Sequence, residues 1–383
     1  MAKLFNANIL SAIYIHIPYC KQRCSYCNFH FIINQNNKKI MINSLIKELE
    51  LRKTYLKSEI KTIYFGGGTP SILNKENLEK LFDKIRNTFK ISKNAEISFE
   101  CNPDDLNKAK LILLKNLGVN RLSIGIQSFN DEDLKLMNRS HNSDEAIDSV
   151  KLAQEVGFDN LSIDLIYSLP SQSVENWQKN LEIAFSLNIQ HISSYSLTIE
   201  KNTQLSHLIK TKKITELDEK TSSEHFNLLL KESKKNEFIQ YEISNFGKEG
   251  YFSKHNSSYW ENKNYLGIGP SAHSYNGESR SWNISNNKNY IEIISENKLP
   301  SETEILTKNQ KYNEYIFTSL RTMWGVDLKL VQEKFDEKIY NYLLLQVVKW
   351  KETSDILHTK NTLKLTEKGK LLADSIASDL FIV

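Results

Sequence analysis

Six short apolar, β-rich runs recur through the first half of the chain, at Ala12–Ile17, Lys61–Phe65, Glu96–Glu100, Arg121–Ile126, Asn160–Ile166 and His191–Leu197. Between them lie Lys38–Leu56, Lys75–Phe89, Asp105–Leu117, Ser143–Val156 and Val174–Leu187, with apolar residues at three- and four-residue intervals. Those intervals are the period of helices with one buried face. The alternation predicts parallel strands wrapped by helices, an α/β fold. A partial, open (βα)6 TIM-like barrel over residues 1–200 is the expected form, with a doubly wound open sheet as the alternative.

Beyond residue 200 the pattern changes twice. Residues 201–305 read as a barrel extension, with a helix at Thr215–Asn236, a short strand at Tyr241–Ser244 and then little periodicity. Within it, His255-Asn-Ser-Ser-Tyr259-Trp260 and Tyr265-Leu-Gly-Ile-Gly269-Pro-Ser-Ala-His273 are rich in glycine, histidine and aromatic residues, which suits functional loops. Residues 306–383 return to helices. Thr307-Lys-Asn-Gln310 reads as a capping box, followed by helices at Gln310–Met323, Lys329–Phe335 and Ile339–Glu352. A hairpin at Leu357–Leu365 and a helix at Glu367–Leu380 complete a winged-helix-like outline. Lysines there are interleaved with acids, which favours a lid or docking role over DNA binding.

The unusual residues gather where the strand-like runs end. After the first run comes Cys20-Lys-Gln-Arg-Cys24-Ser-Tyr-Cys27, a C-x3-C-x2-C loop holding three of the four cysteines. Three thiolates so close can cap a cubane iron–sulfur cluster, leaving one iron open to a chelating small molecule, or can hold zinc with His16 or His30 as fourth ligand. Buried structural cysteines are the plainer alternative, and they suit Cys101. Gly66-Gly67-Gly68-Thr69-Pro70 follows the second run and lets backbone approach a ligand. Glu100, Gln127 and Asp164 end later runs as potential hydrogen-bonding partners, Thr198 follows the sixth, and Arg139 could hold a carboxylate through its planar fork. His255 and His273 are candidate axial ligands for heme iron, with Tyr259 and Trp260 as aromatic cover.

Composition adds limits. At 383 residues and 40% hydrophobic content the chain can bury a large core. Fifty Lys and Arg against 46 Asp and Glu leave +4 spread along the chain, so charge points to no nucleic-acid partner. The opening MAKLFNANIL has no secretory pattern and no segment is long and apolar enough to span a bilayer; a cytoplasmic location, where thiols stay reduced, is expected.

Together, Tyr14-x-His-x-Pro-x-C-x3-C-x2-C, Gly-Gly-Gly-Thr-Pro, Glu-x-Asn-Pro, Gly-x-Gln-Ser, Asp-Leu-Ile-Tyr-x-Leu-Pro and His-Asn-x-x-Tyr-Trp resemble the oxygen-independent coproporphyrinogen III oxidase family of the radical S-adenosylmethionine superfamily. Within it the chain resembles the heme-chaperone branch more than the dehydrogenases. The dehydrogenases extend the loop by a further cysteine where this chain has Phe29, and carry a longer segment before the loop than the nineteen residues preceding Cys20. The branch's Cys-Asp-Phe is Cys27-Asn28-Phe29 here.

The resemblance implies a [4Fe-4S] cluster on Cys20, Cys24 and Cys27. It implies S-adenosylmethionine near Tyr14, Tyr26, Gly67, Gly68, Thr69, Glu100, Gln127, Arg139, Asp164 and Thr198, and heme near His255, Asn256, Tyr259 and Trp260. It further implies a heme-acceptor protein as partner and allows peripheral membrane association. Radical decarboxylation of coproporphyrinogen III is the alternative activity.

Overall fold

The computed structural model describes residues 11–383; MAKLFNANIL lies outside the described residues. In chain order the first part runs β1 (Ser11–Ile17), α1 (Lys38–Leu51), β2 (Ile60–Gly67), α2 (Lys75–Thr88), β3 (Ile91–Cys101), α3 (Lys108–Asn116), β4 (Arg121–Gln127), α4 (Asp131–Leu136), α5 (Ser143–Glu155), β5 (Leu161–Tyr167), α6 (Val174–Ser186) and β6 (His191–Ser196). Then come α7 (Gln204–Lys210), α8 (Glu219–Lys235), β7 (Ile239–Glu242), β8 (Asn245–Gly247), α9 (Lys254–Trp260), β9 (Asn264–Ile268), β10 (His273–Tyr275), β11 (Ser279–Asn283), α10 (Asn287–Ser295), β12 (Ser301–Ile305) and α11 (Lys308–Leu320).

The alternation of strand and helix produces the expected partial barrel. Strands β1 to β6 are parallel and adjacent in sequence order within one twelve-stranded sheet, β12-β11-β10-β9-β1-β2-β3-β4-β5-β6-β8-β7. Each strand turns one side chain in two toward the helices. Ile13, Ile15, Ile63, Phe65, Phe99, Leu122, Ile124, Ile163 and Ile192 join Leu45, Leu78, Phe82, Leu111, Val150, Trp177 and Leu181 in one apolar core. The alternate residues face inward and are polar or aromatic: Tyr14 pairs with Tyr64, Tyr64 with Ser98, and Glu100 with Ser123.

Residues 201–305 extend the sheet at both edges. On the β6 side, β8 and β7 add antiparallel strands. On the other side β9 runs parallel to β1, and β10 to β12 continue antiparallel. Both stretches read above as loops are therefore ordered elements: His255–Trp260 lies in α9 and Tyr265–Ile268 in β9. Buried Glu48 of α1 fastens this edge, accepting from Arg52 Nε at 2.8 Å, Asn283 Nδ2 at 2.8 Å, the Gly269 amide at 2.9 Å and the Tyr290 hydroxyl at 2.5 Å.

The last part has its own core of Tyr312, Ile316, Leu320, Val331, Phe335, Leu343, Leu363 and Ile376 beside a three-stranded sheet. The Thr307–Gln310 capping box is formed. The helix expected over Ile339–Glu352 breaks at Val347, and the final one divides into Glu367–Lys370 and Ala373–Asp379. No helix among the described residues is long and apolar enough to cross a membrane.

Candidate metal centre and cofactor cavity

The cysteine loop leaves β1 at the C-terminal rim of the strands and is tied back at several points. Cys20 N–H donates to the Ile32 carbonyl at 3.1 Å, Ser25 N–H to Met137 O at 3.0 Å, and the Ser25 hydroxyl to Leu136 O at 2.8 Å. These anchors aim all three thiols into one cavity of about 420 Å³. Lining it with them are Tyr26, Gly67, Gly68, Thr69, Glu100, Gln127, Arg139, Asp164 and Thr198, nine of the ten positions expected around S-adenosylmethionine. Tyr14 is the exception: it lies deeper, bonded to His16 Nδ1 at 3.1 Å and stacked on Tyr64.

Each wall has a local cause. Gly67 has φ +104°, and Gly68 turns so close that a Cβ would come within 2.5 Å of the Tyr19 carbonyl. The triplet is thus required by its packing on the cysteine-loop strand as well as by the cavity. Glu100 accepts from the Tyr64 hydroxyl at 2.7 Å and the Gly67 amide at 3.2 Å, yet burial still pushes its carboxyl up to about 7. Asp164, accepting from Ser123 at 3.0 Å, is raised to about 6 for the same reason. Gln127 ends β4 in a left-handed conformation, φ 71°.

Arg139 is the central cation. Its Nη1 donates to the Cys24 sulfur at 3.2 Å, and its Nη2 to Asn102 Oδ1 at 2.8 Å and Gly125 O at 2.6 Å. Its Nε is buried without a hydrogen-bond partner, a donor available to an anionic ligand group. Thr69 donates to the Cys20 sulfur at 3.3 Å. Burial pushes the Cys20 thiol up to about 12 and raises that of Cys27.

Among the described residues no three His, Cys, Asp or Glu side chains converge closely enough to hold a single metal ion. His16 and His30, the alternative zinc ligands, are bonded elsewhere: His16 Nε2 to His30 O at 2.9 Å and His30 Nε2 to Asn287 Oδ1 at 2.7 Å. Three soft sulfurs on one cavity wall, with donors to two of them and none of the histidines joining, fit a cluster face better than a closed tetrahedral site. Ser123 also lines the cavity and was not singled out, and Asn102 of the Glu-x-Asn-Pro motif and Gly125 of the Gly-x-Gln-Ser motif join it. The period-2 alternation Ser123, Gly125, Gln127 on one strand was the available signal.

The four expected heme residues lie elsewhere. His255, 1% exposed, is in the barrel interior, with Nδ1 2.8 Å from Thr62 Oγ1, Nε2 3.0 Å from the Tyr259 hydroxyl and its ring stacked on Tyr64 at 4.9 Å. Burial lowers its pKa to about 3. Glu96 accepts from the Lys254 and His255 amides at 3.0 and 2.9 Å, fixing the start of α9. Asn256 is half-buried on the same helix, and Tyr259 and Trp260 line a separate groove.

Inward-facing polar residues on parallel strands, with sulfur, glycine and carboxylate groups at their C-terminal ends, define a radical S-adenosylmethionine protein. Residues 14–184 match the radical SAM superfamily model and residues 306–372 the HemN C-terminal domain model. The chain is 36% identical to the heme chaperone HemW of Bacillus subtilis over 96% of this chain and 98% of that protein. It is 32% identical to HemW of Lactococcus lactis over 96% of each. The solved structure of Escherichia coli coproporphyrinogen III oxidase (HemN), described as a radical SAM enzyme, superposes with TM-score 0.85 at 23% identity, covering 97% of this chain and 90% of that one. The chain belongs to the HemW heme-chaperone branch of the oxygen-independent coproporphyrinogen III oxidase family.

Proposed function

We propose that this chain binds heme, a [4Fe-4S] cluster and S-adenosylmethionine, and passes the heme to an acceptor protein. The observation that carries the cluster assignment is the convergence of Cys20, Cys24 and Cys27 on the cavity lined by the glycine triplet, Glu100 and Arg139. Near-full-length similarity to HemW supports the heme role. The cluster, when bound, supplies an electron-donating iron open to a chelating ligand.

Around it the chain's own residues position the ligand. Arg139 offers Nε to a carboxylate, Glu100 and Asp164 offer acceptors to hydroxyl or ammonium groups, and the Gly67–Thr69 backbone forms a close wall. Phe29, 70% exposed, stands at the mouth of the cavity where the dehydrogenases carry a further cysteine. An apolar side chain there adds no ligand, which favours carrying heme over decarboxylating a porphyrinogen. The Tyr259–Trp260 end of α9 forms part of the heme site.

The test uses full-length protein purified without oxygen. Iron and sulfide near four each per chain, a Soret shift on heme titration and transfer of that heme to an apo-hemoprotein are expected. No saturable heme binding would overturn the heme role. Decarboxylation of coproporphyrinogen III with reductant and S-adenosylmethionine would establish the dehydrogenase instead.

A further inference from the structure

On the side of the sheet extension a groove of about 780 Å³ opens between α9, the β9–β11 strands and α11. Tyr259, Trp260, Tyr265, Tyr275 and Phe317 give it aromatic walls, with Tyr259 set edge-on to Tyr265 at 4.6 Å. His273 lines the same groove. Its ring is open to solvent and tilted against Trp282 at 6.3 Å, and among the described residues neither ring nitrogen has a protein hydrogen-bond partner. Partial desolvation and the nearby Arg280 charge lower its pKa, which favours the neutral imidazole.

His255 differs on every count. Both nitrogens are engaged, and Tyr259 stands between it and the groove. For His255 to reach an iron atom, α9 would have to shift, leaving the buried hydroxyls of Thr62 and Tyr259 without their partner, an unfavourable loss. Arg280 and Lys263 also line the groove, paired with Glu314 and Glu261 respectively. In each pair a carboxylate of a ligand would compete with the protein carboxylate for the cation. Glu304 and Glu314 complete the ionisable lining.

Aromatic walls, a free imidazole and two cations together recognise a planar metallated macrocycle bearing carboxylates. We propose that the heme carried by this chain sits in the groove between α9, β9–β11 and α11, with His273 as iron ligand. Tyr259 and Trp260 form its wall, and His255 is a positioning residue that holds Tyr259 from behind. This rests on the reading of the chain as a heme carrier.

The test is anaerobic heme titration of full-length wild type, His273→Ala, His255→Ala and His255→Gln, with thermal midpoints and cluster absorbance recorded for each. His273→Ala should lose the histidine-ligated Soret and Q-band pattern and bind heme at least tenfold more weakly, and free imidazole should restore the pattern. His255→Ala should keep the wild-type spectrum with weaker binding, and His255→Gln, able to bond Tyr259, should recover affinity. An unchanged spectrum in His273→Ala, with loss of ligation in a folded His255→Ala, overturns the ligand assignment and leaves heme carriage standing. Absence of heme binding by wild type overturns both.

Discussion

Around the three cysteines, sulfur, carboxylate and guanidinium groups line an open cavity, and at least one of them, Nε of Arg139, keeps a donor unspent. Around His255, deeper among the same strands, both ring nitrogens and both Glu96 oxygens are occupied by protein partners, and the side chain is 1% exposed. Both regions hold residue types that bind metals. Only the first retains the hydrogen-bonding capacity and space that an exchangeable ligand needs; the second has used them to seal the barrel interior. The satisfied or unsatisfied state of the polar groups is what separates the two regions.

The most decisive way to break this contrast is Cys24→Ala. Removing one of three thiolates should abolish cluster assembly, taking iron from about four to near zero per chain, while the thermal midpoint of the metal-free protein changes little, because the loop is held by backbone bonds from Cys20 and Ser25. Iron and sulfide assay with calorimetry reads both; a metal-free variant that fails to fold would show the loop to be structural. Next is Glu48→Ala, which removes the buried acceptor shared by the Gly269 amide, Asn283, Tyr290 and Arg52 and leaves the Arg52 charge buried and uncompensated. A loss of about 3–5 kcal/mol in denaturant unfolding is expected. A third, smaller effect is expected of Glu96→Ala, about 2 kcal/mol, since two first-turn amides of α9 lose their acceptor. Hydrogen exchange should rise first in Lys254–Trp260; protection unchanged there would mean α9 is held from elsewhere.

The six βα units and their polar ends were legible because strand and helix periods alternate cleanly and a parallel sheet places ligand residues at one rim. Nine of the ten positions expected around S-adenosylmethionine line one cavity. Tyr14 lies deeper on β1, against His16 and Tyr64, and a sequence motif does not reveal such depth along a strand. The edge formed by α9 and β9 was illegible for a different reason. Lys254–Trp260 contains His, Asn and two Ser, poor helix formers, and its helix is stabilised by the Ser253 cap and by Glu96, 158 residues distant in sequence. Asn264–Ile268 is short and contains Gly267, whose Cβ would fall 2.1 Å from the His273 carbonyl, so it reads as a break although it pairs in register with β1. Long-range pairing overrode local propensity at both.

The smallest effect tests the cavity itself. Glu100 folds with its carboxyl raised from 4.5 to about 7, and Asp164 from 3.8 to about 6, burial being the main cause of each. A carboxyl raised on folding takes up protons as the chain folds, so the metal-free protein loses stability as pH climbs above the ordinary carboxylate range, and the loss is complete once pH exceeds the folded values. Glu100→Gln cannot ionise, so its share of that loss, about 1–2 kcal/mol or a few degrees, should vanish. Thermal midpoints of metal-free wild type and variant at pH 5.5 and pH 8 read it directly: the variant should gain on wild type at pH 8 and not at pH 5.5. The same substitution should weaken S-adenosylmethionine binding to the cluster-loaded protein, because an amide removes one acceptor oxygen from the cavity wall. A variant more stable at high pH and poorer at ligand binding would show that Glu100 is held there against the cost of its own burial. The Glu96 carboxylate, whose acceptors are used by α9, should show no such exchange of stability for affinity.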